Sequence, residues 1–281
     1  MDKPFKINRG HNGNKVWVVI GMVVLAALFS LGAAALWQNF QQEDQLAPSQ
    51  PAQPSSSVSE PEPEPVSEPE PEPEPEPALP QIEGAVPESE RVKSSYFDDA
   101  VFVGDSITTG IPLYQIMDNA EVLAGTGINL SSIYTEAVVK QEDGERITIM
   151  DGLKKKQFAK VYLLLGGNEV RDMPKDSFIQ RYSSFLDDVR ELQPDSIIYV
   201  QSITPVTAEN NYNMDNNRIN EYNEALVELC GEKKVYFVNI AEALKDDKGE
   251  LPLEASPADG MHFNADYYRK WFEYLKTHTV S

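Results

Sequence analysis

Five short, mostly apolar runs recur along this chain with helix-length spacers between them: Ala100–Val103, Glu121–Ala124, Lys160–Leu165, Ser196–Gln201 and Val235–Val238. Runs of this kind, bounded by turn residues, read as strands buried on both faces. The spacers carry helical patterns over Ile107–Met117, Leu130–Lys140, Thr148–Lys156, Ser177–Gln193, Asn216–Cys230 and Ala265–Thr277. Alternation of this kind leaves few folds open, because neighbouring parallel strands need a crossover and a helix supplies it. The expectation is an α/β domain whose five-stranded parallel sheet is covered on both faces. Ligand sites in such sheets lie at the carboxyl ends of strands. Residues just after each run are therefore the first candidates for function.

The alternation begins only in the last two-thirds of the chain. From Gln38 to about Arg91 the sequence is rich in Pro, Glu, Ser and Gln, with Glu-Pro repeating from Glu60 to Pro65 and from Glu68 to Pro77. Such a segment cannot bury enough apolar surface to fold. Proline fixes φ and the spaced glutamates repel, so an extended stalk reaching on the order of 100–150 Å is expected.

Ahead of it, Val16–Trp37 are 22 consecutive uncharged, mostly apolar residues. That is long enough to cross a bilayer of about 30 Å as one helix. Lys3, Lys6, Arg9 and Lys15 precede the run, and no basic residue follows it until Arg91. The positive-inside rule then puts the N-terminus in the cytoplasm and everything after Trp37 outside. The rival is a signal peptide cleaved near Ala33-Ala34-Ala35. Signal h-regions run about 7–15 residues, and this run is longer, so a retained anchor is expected. The layout is a cytoplasmic tail (1–15), a transmembrane helix (16–37), a disordered Pro/Glu-rich stalk (38–91) and a folded extracytoplasmic domain (92–281), with the protein in the cell membrane.

The net charge of −21 is unevenly spread: +3 over 1–37, 13 acidic and no basic groups over 38–90, and −11 over the rest. An acidic domain is a poor nucleic-acid binder, because counterion release needs a basic surface. With one cysteine, Cys230, no internal disulfide exists, and His11, His262 and His278 with no Cys/His cluster leave no zinc site. No metal or other cofactor is expected. Cys230 falls in an apolar pattern and reads as a small buried hydrophobe rather than a nucleophile.

Two motifs carry chemistry. Gly104-Asp105-Ser106 follows the first strand and precedes a helix-compatible stretch. A hydroxyl there is exposed at a strand end, beside backbone N–H groups able to hold an oxyanion. Asp259-Gly260-Met261-His262 puts a carboxylate and an imidazole three residues apart on one turn. That is close enough for the acid to orient the base which a weak serine nucleophile needs. Asn264 reads as the cap of the terminal helix that fixes this turn. Ser106-Ile107-Thr108 lacks the second glycine of a G-x-S-x-G elbow, which argues against an α/β-hydrolase. Between the two motifs, Ala124-Gly125-Thr126-Gly127 and Leu165-Gly166-Gly167-Asn168 each follow a strand. Of the two glycines in the first of these, Gly127 is preferred over Gly125 as an oxyanion donor from its spacing to the next predicted helix.

These four blocks, in this order, resemble the SGNH (GDSL) hydrolase family, whose members are serine esterases and acyl-transferring relatives. The resemblance spans roughly Ser94 to the C-terminus. It implies a three-layer α/β/α flavodoxin-like sandwich. It also implies Ser106 as nucleophile, His262 as base, Asp259 as the orienting acid, and an oxyanion hole built from Ser106, Gly127 and Asn168. One departure is visible: many members carry Asn-Asp where this chain has Asn168-Glu169. The expected activity is hydrolysis of short acyl esters, with O-acetyl groups on wall or surface polysaccharide suggested by the extracytoplasmic address. Transfer of the acyl group to a surface glycan, small or lipid esters as substrates, and a non-catalytic wall-binding module remain open. So does the oligomeric state.

Overall fold

The computed structural model describes residues 83–280. The expected cytoplasmic tail, membrane span and most of the stalk lie outside them. Among the described residues no helix is long and apolar enough to cross a membrane.

Among the described residues, seven strands and five α-helices follow in order: β1 (Ala100–Gly104), α1 (Gly110–Leu113), β2 (Glu121–Ala124), β3 (Val139–Lys140), β4 (Arg146–Ile147), α2 (Ile149–Lys155), β5 (Lys160–Leu164), α3 (Lys175–Leu192), β6 (Ile197–Gln201), α4 (Asn216–Lys233), β7 (Tyr236–Val238) and α5 (Ala265–Leu275). Five strands form one sheet in the order β2-β1-β5-β6-β7, every pair parallel. Counted among themselves these strands run 2-1-3-4-5, the flavodoxin-like order. The five expected strands are the five that form the sheet.

Every residue of β1 and β5 is buried, as two-sided burial demands of central parallel strands. Register places Phe102 beside Tyr162, Tyr162 beside Tyr199, and Tyr199 beside Tyr236. The rings of Phe102, Tyr162 and Tyr199 stack in sequence, with centroids 4.8 and 4.5 Å apart. Phe272 of α5 meets Phe102 edge-on at 5.1 Å, so α5 covers this face. Its buried residues, Tyr267, Tyr268, Trp271, Phe272 and Leu275, recur at the three-to-four spacing of an amphipathic helix. The opposite face is left to α2, α3 and α4, which pack against one another. There α3 buries Phe178, Tyr182, Phe185 and Val189, and α4 buries Ile219, Tyr222, Leu226 and Leu229. Side-chain caps from Thr148, Asp215 and Asn264 start α2, α4 and α5.

Two expected helices do not form as such. Of Ile107–Met117 only Gly110–Leu113 is helical. Pro112 removes a backbone donor, and Gln115 and Met117 both adopt φ near +54°. Gly110 is required there, since a Cβ would lie 2.0 Å from the Tyr268 hydroxyl. Leu130–Lys140 holds a 3-10 turn at Ser132–Tyr134 and then β3, which pairs antiparallel with β4. The β-branched pair Val138-Val139 disfavours helix, and Asp143-Gly144, with Gly144 at φ +90°, closes the hairpin.

The packed domain also starts earlier than residue 92. Ala85 bridges to Phe237, Val86 N–H donates to Phe237 O at 2.8 Å, and Val92 N–H donates to Lys276 O at 2.8 Å. Val86 is buried. This short apolar pair interrupts the polar tract and gives residues 85–92 something to bury against β7.

Candidate active site

The loops after β1, β2 and β5 meet at the point where the strand order reverses, which is where open α/β sheets place their ligand sites. Gly125 N–H donates to Gly104 O at 3.3 Å, joining the first two loops. A Cβ on Gly167 would lie 3.5 Å from Asp105 Oδ2, so the third loop closes against the first.

Ser106 follows β1 in a turn held from three sides. Asp105 Oδ1 accepts Ile107 N–H at 3.0 Å, Thr109 Oγ1 donates to Ser106 O at 2.7 Å, and the Tyr268 hydroxyl donates to Ile107 O. Because Tyr268 belongs to α5, the helix that follows His262 also anchors the serine turn. Gly104 has no room for a side chain: a Cβ would lie 2.1 Å from Thr108 Oγ1.

The expected acid and base, Asp259 and His262, lie on the turn leading into α5. Asp259 Oδ1 accepts from Ser256 Oγ at 3.1 Å and from the N–H groups of Met261 and His262, both at 2.9 Å. Its Oδ2 lies 2.7 Å from His262 Nδ1, and His262 Nε2 lies 2.8 Å from Ser106 Oγ. A carboxylate only accepts, so Nδ1 carries the ring proton and Nε2 is free to accept from the serine hydroxyl. Burial opposes ionisation of Asp259, but the two backbone N–H groups and the His262 ring outweigh it and hold the carboxyl well below its usual range. Asp259 is therefore a fixed negative charge at any pH where a serine esterase works.

The two expected oxyanion donors outside the serine turn are tied together. Asn168 is exposed and its Nδ2 donates to Ile128 O at 2.8 Å, leaving the second amide hydrogen unused. Gly127 has φ +77°, and a Cβ there would touch nothing within 4 Å. Gly125 is the poorer donor, since its N–H is spent on Gly104 O and Val138 packs where its Cβ would be. Among the described residues the N–H groups of Ser106 and Gly127 find no internal acceptor.

Sequence reading missed three side chains here. Glu169, noted only as a departure, accepts Leu130 N–H through Oε1 at 2.6 Å. Asn168 and Glu169 thus clasp residues 128–130 from adjacent positions. Tyr212 reaches Asp259, as described below. Asp105, beside the expected nucleophile, is 2% exposed. Burial pushes its carboxyl up from 3.8 to about 7, with the Ile107 N–H opposing and the Glu169 charge adding to the rise. Glu169 and Tyr212 carry no local signal for these contacts, because each depends on what the fold brings near; Asp105 lies inside the Gly104-Asp105-Ser106 motif, but its burial is set by the packing of the other loops.

Asp105 makes a stability prediction. Its folded value lies above its unfolded one, so the stabilisation of its neutral form is fully present below about pH 4 and is lost as pH rises through about 7. The ionised, buried carboxyl destabilises the native state by up to about 4 kcal/mol at alkaline pH. Asp105→Asn keeps the acceptor for Ile107 and has no charge. It is expected to melt well above wild type at pH 8, with the margin closing towards pH 4. A margin independent of pH in thermal unfolding would contradict this.

Cys230 is buried, and burial pushes its thiol up to about 12, which leaves it unreactive. No group of three His, Cys, Asp or Glu side chains among the described residues can hold a metal ion. A cavity of about 360 Å³ opens against Asp259, lined by Glu209, Asn210, Asn211 and Ser256, with Leu253 also at its wall. A groove of about 480 Å³ between α3 and α4, with Glu221, Glu224, Glu228 and Glu232 along its α4 side, holds none of the site residues.

One solved structure superposes well enough to agree with this architecture. A provisionally assigned platelet activating factor from Streptococcus pneumonia is 22% identical, covers 65% of this chain and 89% of its own, and superposes with a TM-score of 0.52. A provisionally assigned acylhydrolase from Bacteroides fragilis is 15% identical over 68% of this chain and 88% of its own, with a TM-score of 0.49. A GDSL-like lipase from Bacteroides thetaiotaomicron is 15% identical over 66% and 86%, with a TM-score of 0.46. No curated relative matches the chain. The family model for GDSL-like lipases and acylhydrolases matches residues 102–270, which is more than half of the chain and spans both Ser106 and the Asp259–His262 turn. The chain is therefore an ester hydrolase belonging to the GDSL-like lipase/acylhydrolase family, the SGNH hydrolases.

Proposed function

We propose that this protein is a serine esterase that removes short acyl groups, O-acetyl above all, from hydroxylated polymers of the cell surface. The observation that carries the serine mechanism is the unbroken chain from Ser106 Oγ to His262 Nε2 at 2.8 Å and from His262 Nδ1 to Asp259 at 2.7 Å. His262 takes the hydroxyl proton as Oγ forms a bond to the ester carbonyl carbon. The tetrahedral oxyanion sits against the N–H groups of Ser106 and Gly127 and the second amide hydrogen of Asn168. His262 then protonates the departing alcohol oxygen. Water, deprotonated by the same ring, attacks the acyl-serine, and the carboxylic acid leaves.

The test is release of acetate from p-nitrophenyl acetate and from O-acetylated polysaccharide, with and without an acceptor glycan. Acetate appearing on the acceptor instead of in solution would move the reading to acyl transfer. No release from any ester would overturn it.

Asn168→Ala is expected to lower kcat by about 10²–10³ with KM little changed, as for loss of one oxyanion donor. A sharp rise in KM at constant kcat would instead make Asn168 a ground-state binding residue.

We also infer that Val16–Trp37 is a retained membrane anchor and that the Pro/Glu segment from residue 38 up to the start of the packed domain near 85 carries the enzyme outwards, on the hydropathy, flanking charge and composition of those residues. Protease added to intact, wall-stripped cells is then expected to shed an active fragment. Enzyme found only in the medium, beginning just after Ala35, would contradict the anchor.

A further inference from the structure

The loop between β6 and α4 presses on the turn that carries the acid and base. Thr207 N–H donates to Gly260 O and Asn211 N–H donates to Asp259 O, both at 2.9 Å. Within the loop, Asn210 Oδ1 accepts Tyr212 N–H at 3.2 Å and Met214 N–H at 3.0 Å, and its Nδ2 donates to Thr207 O and Met214 O. Gly260 sits at φ +81°, and a Cβ there would lie 2.4 Å from Thr207 Oγ1, so the two segments touch backbone to backbone. This frame fixes Tyr212, whose hydroxyl lies 3.2 Å from Asp259 Oδ2 and 3.5 Å from His262 Nδ1. Its ring stands edge-on to the imidazole, with centroids 5.9 Å apart.

The two carboxylate oxygens of Asp259 are held very differently. Oδ1 has three donors and cannot turn. Oδ2, the oxygen that orients His262, has only the imidazole and the Tyr212 hydroxyl. The hydroxyl must donate, since Oδ2 can only accept. Burial and the Asp259 charge push the phenol further up, so it stays a donor wherever the esterase works. We propose that Tyr212 is a positioning residue of the esterase, holding Asp259 Oδ2 in line with His262 Nδ1 and sharing its charge. This rests on the serine mechanism given above and adds a fourth member to its proton-handling chain. The Asn210–Tyr212 segment is thereby part of the machinery and not only a loop at the rim.

Tyr212→Phe in the full-length protein tests it, since the ring and its packing remain and only the donor goes. Loss of one charge-assisted bond in a partly exposed setting is expected to lower kcat by about 3- to 30-fold, with KM and melting temperature near wild type. The low-field proton resonance of His262 Nδ1–H is expected to move, because its acceptor no longer serves a second donor. Unchanged kcat in Tyr212→Phe, or a lower kcat with that resonance unmoved, would overturn the proposal. A rise in KM confined to Tyr212→Ala would make Tyr212 a substrate-stacking residue instead. Ser106→Ala assayed in parallel separates the two levels. If it stays active, the serine mechanism fails; if it is inactive while Tyr212→Phe behaves as wild type, only the role of Tyr212 fails.

Discussion

Ser106→Ala is expected to leave a folded protein whose esterase turnover has fallen by about 10³–10⁶-fold. The side chain contributes one contact to the fold, its bond with His262. The turn around it is held by other groups: Asp105 Oδ1, Thr109 Oγ1 and the Tyr268 hydroxyl. Two of these act on residues other than Ser106, and the third uses its backbone carbonyl, which alanine keeps. His262 has a 37% exposed side chain, so water can replace the lost partner at Nε2 without stranding a buried polar atom. Melting temperature should therefore change little while turnover collapses. The residual rate is what the oxyanion donors and His262 can do with water alone. Turnover close to wild type in a Ser106→Ala protein with an unchanged melting curve would remove Ser106 from the mechanism.

That separation between fold and chemistry reflects how each was written in the sequence. The central strands were legible because burial on both faces favours apolar residue types, so Ala100–Val103 and Val161–Leu165 appear as unbroken apolar runs. The long helices were legible from three-to-four spacing, as in Phe178, Tyr182, Phe185 and Val189. The segments after β1 and β2 were not. Their form is set by contacts distant in sequence: Tyr268 occupies the space beside Gly110, Val138 packs over Gly125, and Glu169 captures Leu130 N–H. Helix propensity in a ten-residue window cannot weigh such terms. Local spacing was enough to pick out Asp259 and His262 as a candidate acid–base pair, because they sit on one turn, and the structure brings their side chains into contact. Their partner Tyr212 lies 47 residues before Asp259, and no spacing rule connects the two. Of the start of the domain, Ala85-Val86 was one of several short apolar pairs in a polar tract, Ala78-Leu79 being another, and two residues are too few to distinguish docking from chance.

Asp259→Asn is the second large effect expected, a fall in kcat of about 10⁴-fold with the fold retained. The direction follows from which oxygen does what. Oδ1 accepts from the Met261 and His262 N–H groups and from Ser256 Oγ. Asparagine has one oxygen, and those backbone donors claim it, since an amide NH₂ facing two N–H groups would leave three donors without an acceptor. The Nδ2 group must then occupy the place of Oδ2, 2.7 Å from His262 Nδ1. A donor there forces Nδ1 to accept, which moves the ring proton to Nε2. That proton points at Ser106 Oγ, so the ring can no longer take the hydroxyl's proton as the bond to the carbonyl forms. Loss of the carboxylate also removes the charge that stabilises the imidazolium formed in that step. Because the turn's own hydrogen bonds survive the substitution, melting temperature should hold near wild type. Asp259→Ala should differ on that point, since it strips five donors of their acceptor and is expected to melt earlier as well as lose activity. The pair of variants, read by kcat and by thermal unfolding, separates the charge from the scaffold. Turnover near wild type in Asp259→Asn would mean that His262 does not need its tautomer fixed, and the assignment of Asp259 as orienting acid would fall.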